Sequence, residues 1–245
     1  MPKKELEHGH HPHEIATRLL RGPRVSYLRD WIYGGIDGTI TTFAIITGVA
    51  GAALSTNALL ILGAANLIAD GFSMAAANYL GTKAEIDEYE HVRRMEERHV
   101  EVAPEGEREE IRQIFEAKGF KGKTLESAVD VITENRERWI ETMMTEEHGL
   151  PPVTRSPAKA ALVTFLAFGV CGLVPLLPFV LGVPAGLAAS TAGAAITFFS
   201  IGSFRSRWSS APWWRAGLET LAIGMIAAGL AYGVGSLLGG LLKSH

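Results

Sequence analysis

Apolar residues in this chain gather into five long runs, and one long charged stretch divides them two against three. The runs fall near residues 31–54, 57–80, 158–181, 184–204 and 213–241, each close to the ~20 residues a helix needs to cross the hydrocarbon of a bilayer. Only "STN" separates the first two and only "LGVP" the third and fourth, so each of these pairs is predicted to form a tight hairpin. The expected fold is all-α: a polytopic membrane protein with five transmembrane helices and a cytoplasmic three-helix insert. Its predicted parts are a tail over 1–30, two spans within 31–80, the charged insert over 81–155 and three spans within 156–245.

Within the insert the pattern is helical. No Gly or Pro interrupts the chain from Thr82 to Val100, so the second span is expected to run on out of the membrane as far as "VAPEG". A second helix over 105–118 would present Ile111, Ile114 and Phe115 on one face and end at "KGFKGK". A third over 124–147, with Thr124 as N-cap, would set Leu125, Val129, Ile132, Trp139, Ile140 and Met143 on one stripe. Gly149, Pro151 and Pro152 stop it.

Charge adds orientation. Arg18, Arg21, Arg24 and Arg29 precede the first span; Lys83, Arg93, Arg94, Arg155, Lys159, Arg205, Arg207 and Arg215 share that predicted side, against Lys243 on the other. Basic residues favour the cytoplasmic side, which puts the N-terminus and the insert there. The net charge of −3 conceals an acidic insert, since 19 of the 26 Asp and Glu fall between Glu85 and Glu147. The single cysteine, Cys171, excludes a disulfide framework or a thiolate metal site within one chain. The first thirty residues have no apolar core segment, so they do not read as a cleavable signal. With no eukaryotic targeting signal visible in a short chain, the expected location is the inner membrane of a prokaryotic cell. Small residues fill the spans, with Gly229 and Gly233, then Gly235 and Gly239, at GxxxG spacing, a pattern that lets helix backbones approach. Pro175 and Pro178 would free backbone carbonyls inside a span.

The charges that interrupt the apolar pattern are the candidate chemistry. A carboxylate in a bilayer is costly, so acids kept there face a bundle interior and mark ion or proton paths. Asp37 lies two turns into the first span and Asp70 within the second. On a helix Asn66, Asp70, Ser73, Met74, Ala77 and Asn78 share one face. Asp70 with Met74 suits a borderline cation such as Fe²⁺ better than Mg²⁺ or Ca²⁺, which take oxygen. Asp37 as a cap at the headgroups, and Asp70 as a hydrogen bond between helices, are the plainer readings; two acids in adjacent spans favour a path. Glu219, near the end of the fifth span, reads as interfacial.

In the insert Glu97 and Glu101 fall one turn apart, as do Glu107 and Glu110, with Glu96 and Glu105 beside them; Met143 and Glu147 repeat that spacing. Clustered carboxylates take divalent cations, and their mutual repulsion favours filling the site. Interleaved arginines also make such runs into solvated faces. "HGHHPH", with His8, His10, His11 and His13, is a short tract that could capture a transition metal.

Three segments in series, "DGTITTFAIITGVAGA", "ADGFSMAAANYLGTKAEIDEYE" and "GVCGLVPLLPF", with a Glu-rich insert between the second and third, resemble the vacuolar iron transporter family and its prokaryotic relatives. The likeness runs from about Trp31 to the C-terminus. The resemblance implies a homodimer of five-helix protomers that moves Fe²⁺, and in some members Mn²⁺, out of the cytosol in exchange for protons. It implies that Asp37 of the "DG" motif sits in the ion path, joined by Asp70 and Met74. Plant and fungal members usually have Glu at the position of Asp70 and a further acid where this chain has Asn78, so Asn78 is a pathway position with one charge fewer. For the insert the resemblance implies metal ligands at Glu97, Glu101, Glu107, Glu110, Met143 and Glu147, with Glu96, His99 and Glu105 as neighbouring candidates. That site would hold Fe²⁺, Mn²⁺ or Zn²⁺. No permanently bound cofactor is expected; the partners are metal ions, protons, membrane lipid and a second copy of the chain, and not nucleic acid.

The expected function is a proton-coupled carrier rather than an enzyme, in which the insert gathers ferrous ion and hands it to the Asp37, Asp70 and Met74 path. Two other classes stay open: a metal-regulated sensor through which nothing crosses, and a carboxylate-bridged di-iron oxidoreductase. Against the last, di-iron bundles carry a Glu-x-x-His motif on each of two helices, a pairing the insert lacks although Glu96 with His99 has the spacing.

Overall fold

The computed structural model describes residues 9–22, 25–208 and 210–243; His8 and Arg24 lie outside the described residues. Among these the chain forms helices and no strand: α1 (Pro12–Arg21), α2 (Leu28–Gly51), α3 (Thr56–Val102), α4 (Pro104–Ala117), α5 (Gly122–Thr133), α6 (Arg136–Glu146), α7 (Pro157–Val180), α8 (Gly186–Arg205) and α9 (Trp213–Lys243). Five of them, α2, α3, α7, α8 and α9, are long and apolar enough to cross a membrane. With 47 residues, α3 is about 70 Å long, more than twice the hydrocarbon thickness of a bilayer. One helix therefore belongs both to the spans and to the insert.

α2 packs against α3, α7, α8 and α9, and glycine makes that possible. A Cβ on Gly38 would fall 2.3 Å from the Phe168 carbonyl oxygen of α7, and one on Gly235 of α9 would fall 2.1 Å from the Gly48 oxygen of α2. Backbone thus meets backbone on two sides of α2, with no side chain between. The Gly235 and Gly239 pair is used within the chain, while Gly229 and Gly233 face open space. Phe43, Ile46, Leu59, Leu176 and Phe198 fill the centre of the bundle. α7 stays helical through Pro175 and Pro178. The apolar stretches of α3 and α9 are the most open, only 22% and 11% buried.

α4, α5 and α6 touch one another, and α4 and α6 also pack on α3; among the described residues they touch no other span helix. Val100, Ile111, Leu125, Val129, Trp139, Ile140, Met143 and Met144 form their core. The stripe expected on a single helix over 124–147 is divided between α5 and α6. Asn135 is the reason: its side chain accepts a hydrogen bond from the Arg138 backbone N–H at 3.0 Å and starts a new helix, the competition with the helical ladder that short amides favour. The insert is therefore the extension of α3 plus three short helices, one more than the sequence pattern predicts. α5 also begins before Thr124, at Gly122, without a side-chain cap.

Candidate functional site

α2, α3 and α7 meet where the span bundle gives way to the insert. Asp30, in the first turn of α2, is 2% exposed. Arg155 Nη2 donates to both of its oxygens, at 2.5 and 2.7 Å. Asn78 Nδ2 donates to Asp30 Oδ1 at 2.9 Å and to Thr164 Oγ1 at 2.7 Å. Asn78 is thus part of a polar lock joining three helices. Beside the lock lies a cavity of about 300 Å³ lined by Tyr33, Met74, Asn78, Thr82, Glu85 and Arg155. Asp30 and Arg155 are 125 positions apart and carry no local signal of their pairing.

One turn beyond this cavity, Asp37 follows Tyr33 on α2 and Asp70 precedes Met74 on α3. Asp37 is half-buried and Asp70 is exposed; the two are within electrostatic reach of each other. Asn66 turns inward and donates to Thr41 Oγ1 at 3.2 Å, and Thr41 in turn donates to the Asp37 carbonyl oxygen at 2.9 Å. The single polar face expected on α3 is therefore split. Asn66 and Asn78 bond to neighbouring helices, while Asp70 and Ser73 look outward.

The second group of acids lies in the insert and centres on Glu96, which is 1% exposed, with Glu107 at 5%. Glu96 Oε1 is 2.9 Å from His148 Nε2 and 3.8 Å from His99 Nδ1. Glu107 Oε1 is 3.4 Å from the same His99 nitrogen, and Glu147 Oε2 is 3.6 Å from His148 Nε2. Glu96, Glu147 and His148, and likewise Glu96, His99 and Glu107, bring three ligand atoms within 4.8 Å of one another. With both carboxyls ionised, the remaining oxygens, Glu96 Oε2 and Glu107 Oε2, are buried without a hydrogen-bond partner, a costly arrangement that a cation, or a proton shared between Glu107 and Glu96, would relieve. Burial, then the charges of Glu110 and Glu96, pushes the Glu107 carboxyl up to about 7. Burial also raises Glu147 above the ordinary carboxylate range, with His148 opposing.

Other acids of the insert lie elsewhere. Neighbouring residues on a helix point about 100° apart, so Glu96 and Glu97 cannot share a site, and Glu96 is the one turned inward. Glu97 pairs with Arg93 at 3.2 Å and Glu101 with Arg136 at 2.8 Å, on the wall of a groove shared with His91, Arg94 and Arg98. Glu105 and Glu110 are exposed on α4, Glu110 close enough to Glu107 to raise it. Met143 is completely buried in the insert core, one turn before Glu147. His148 comes from a signal not used in reading the spacing: a histidine directly after an acid pair at a helix end. The chain turns there, with the His148 N–H bonded back to the Met143 carbonyl at 3.3 Å, and this aims the ring at α3. Among the described residues, neither three-ligand group includes a histidine of the N-terminal tail.

The chain as a whole has relatives among known proteins. Residues 28–236 match the VIT family. The chain belongs to that family. The vacuolar iron transporter of Toxoplasma gondii is 35% identical over 227 residues, covering 86% of this chain and 74% of the relative. Vacuolar iron transporter 1 of Arabidopsis thaliana is 29% identical over 237 residues, 94% of this chain and 91% of that protein. The vacuolar iron transporter of Plasmodium berghei is 30% identical over 231 residues, with 89% and 83% covered. The family match begins at the first residue of α2 and ends within α9, so α1 lies outside it.

Proposed function

We propose that this chain transports Fe²⁺, with Mn²⁺ as a second cargo, out of the cytosol in exchange for protons. The observation that carries the reading is the placement of Asp37 and Asp70 within electrostatic reach in adjacent apolar helices of a VIT family member. A bare carboxylate is costly in a low-dielectric path, so such a group holds either a proton or a metal, and entry of one expels the other. Met74 adds a soft ligand that favours a borderline ion, and the adjoining cavity, lined by Met74 and Glu85, is the entrance.

The insert lies in the cytoplasm with the N-terminus and gathers metal at Glu96, Glu107 and Glu147, with Glu110 and Met143 at the margin. The outward Asp70 and the open face of α3 are completed by a second copy of the chain, so the working unit is a homodimer. The membrane is the inner membrane of a prokaryotic cell.

The test is Fe²⁺ flux into proteoliposomes holding the purified protein, under anaerobic conditions, with a pH gradient imposed or collapsed. Flux that follows the gradient, releases protons and falls by about a hundredfold or more in Asp37→Ala is the expected result. Unchanged flux in Asp37→Ala would remove Asp37 from the path. A metal sensor also fits the insert cluster, since that cluster is assembled within one chain; absence of Fe²⁺ and Mn²⁺ flux with metal binding intact would favour that reading.

A further inference from the structure

The insert cluster is more than a set of acids, because two imidazoles stand in it. Around an ion with ligand bonds of about 2.1 Å, neighbouring ligand atoms sit roughly 3.0–3.4 Å apart. The nitrogen-to-oxygen separations here, 2.9 and 3.6 Å at His148 and 3.4 and 3.8 Å at His99, bracket that range. A protonated His148 paired with Glu96 Oε1 and Glu147 Oε2 would explain the two contacts of that ring and neither of those at His99. With both carboxyls ionised it would also leave Glu96 Oε2 and Glu107 Oε2 buried and unpartnered. Two half-sites that share Glu96 explain all of them: Glu96, Glu147 and His148 on one side, and Glu96, Glu107 and His99 on the other.

We propose that His99 and His148 are metal ligands, each giving one imidazole nitrogen to a carboxylate pair that shares Glu96. The inference rests on the reading that the insert captures metal, and adds which metals it prefers. All-oxygen sites suit Mg²⁺, Ca²⁺ and Mn²⁺, whereas imidazole raises affinity for the later first-row ions. The insert therefore favours Fe²⁺, Co²⁺ and Zn²⁺ over Mn²⁺, and the two histidines set that discrimination. His99 is half exposed and His148 about one-fifth exposed, so ions can reach them and substitution does not open the core.

The experiment uses the full chain in detergent without an affinity polyhistidine, in a parent where His8, His10, His11 and His13 are replaced by Ser so that the tail supplies no nitrogen. Co²⁺ binding is followed by visible absorption and Mn²⁺ binding by electron paramagnetic resonance, with pulsed measurements on bound Mn²⁺ reporting imidazole nitrogen. In the parent, Co²⁺ binds more tightly than Mn²⁺ and bound Mn²⁺ shows nitrogen modulation. In the His99→Gln and His148→Gln double variant the modulation disappears, Co²⁺ affinity falls on the order of tenfold or more, and Mn²⁺ affinity changes by less than about threefold. Equal Co²⁺ affinity in parent and double variant, or a parent without nitrogen modulation, would overturn the inference. Loss of Mn²⁺ binding in Glu96→Gln would, in that event, leave the capture reading standing. A parent that binds neither ion would overturn both.

Discussion

Glu96 and Asp70 stand on the same helix, 26 residues and about 39 Å apart, and their surroundings are opposite. Glu96 is enclosed by Glu107, Glu147 and two histidines of its own chain, with a buried oxygen left unpartnered. Asp70 looks outward from a helix whose apolar stretch is 22% buried. On the proposed reading, a site that holds an ion can be closed by one chain, whereas a path must stay open at both ends and leaves its acid uncovered until something else covers it. The distance also separates the tasks. On the proposed reading, an ion held at Glu96 would have to leave that site before reaching Asp70, so capture and passage would be separable in experiment.

The sharpest test of that separation is Asp30→Ala. It leaves Arg155 beside an empty buried position and removes an acceptor of Asn78, and breaking a buried pair in this way costs about 3 kcal/mol or more. Thermal unfolding of the spans in detergent should shift down strongly while metal binding by the insert persists. Parallel loss of both would show that the two regions fold as one unit.

A smaller effect concerns pH. The Glu107 carboxyl titrates near 7 in the folded chain against an ordinary 4.5, so between these values the unfolded chain has released a proton that the folded one keeps. Stability of the metal-free insert should therefore fall as pH rises through that window. Metal affinity should rise over the same window, because the ligand must be deprotonated, and level off above about 7. Affinity independent of pH from 5 to 7 would remove Glu107 from the site.

The smallest effect is expected for Glu101→Ala. Its exposed pair with Arg136 is worth at most about 1 kcal/mol, and metal affinity should stay within about twofold. A larger loss would bring Glu101 into the site and contradict the two-sided division of the α3 extension.

Much of the fold was legible because its signals are local. Runs of apolar residues mark the five helices, and the lack of any Gly or Pro from Thr82 to Val100 marks the continuation of α3. The break at Asn135 was hidden by an apolar stripe that keeps helical spacing across it; the capping bond of one side chain to Arg138 decided against a single helix. In the insert, spacing indicated carboxylates one turn apart but could not tell inward from outward. Glu97 and Glu101 satisfy that rule as well as Glu107 and Glu110 do, yet arginines hold them on another wall. Asn78 carried the polarity of a pathway residue, and its partners, Asp30 and Thr164, lie 48 and 86 positions away.

The chain by itself determined the five apolar helices, the acids within two of them and the acidic character of the insert, because each depends on residue type and near spacing. Only the tertiary structure decided which acids meet, that Arg155 neutralises Asp30, and that His148 turns back onto Glu96. Those pairings depend on how helices far apart in sequence cross and on where the chain turns between them. Helical periodicity fixes a residue's angle about its own axis and says nothing of the neighbour it will face.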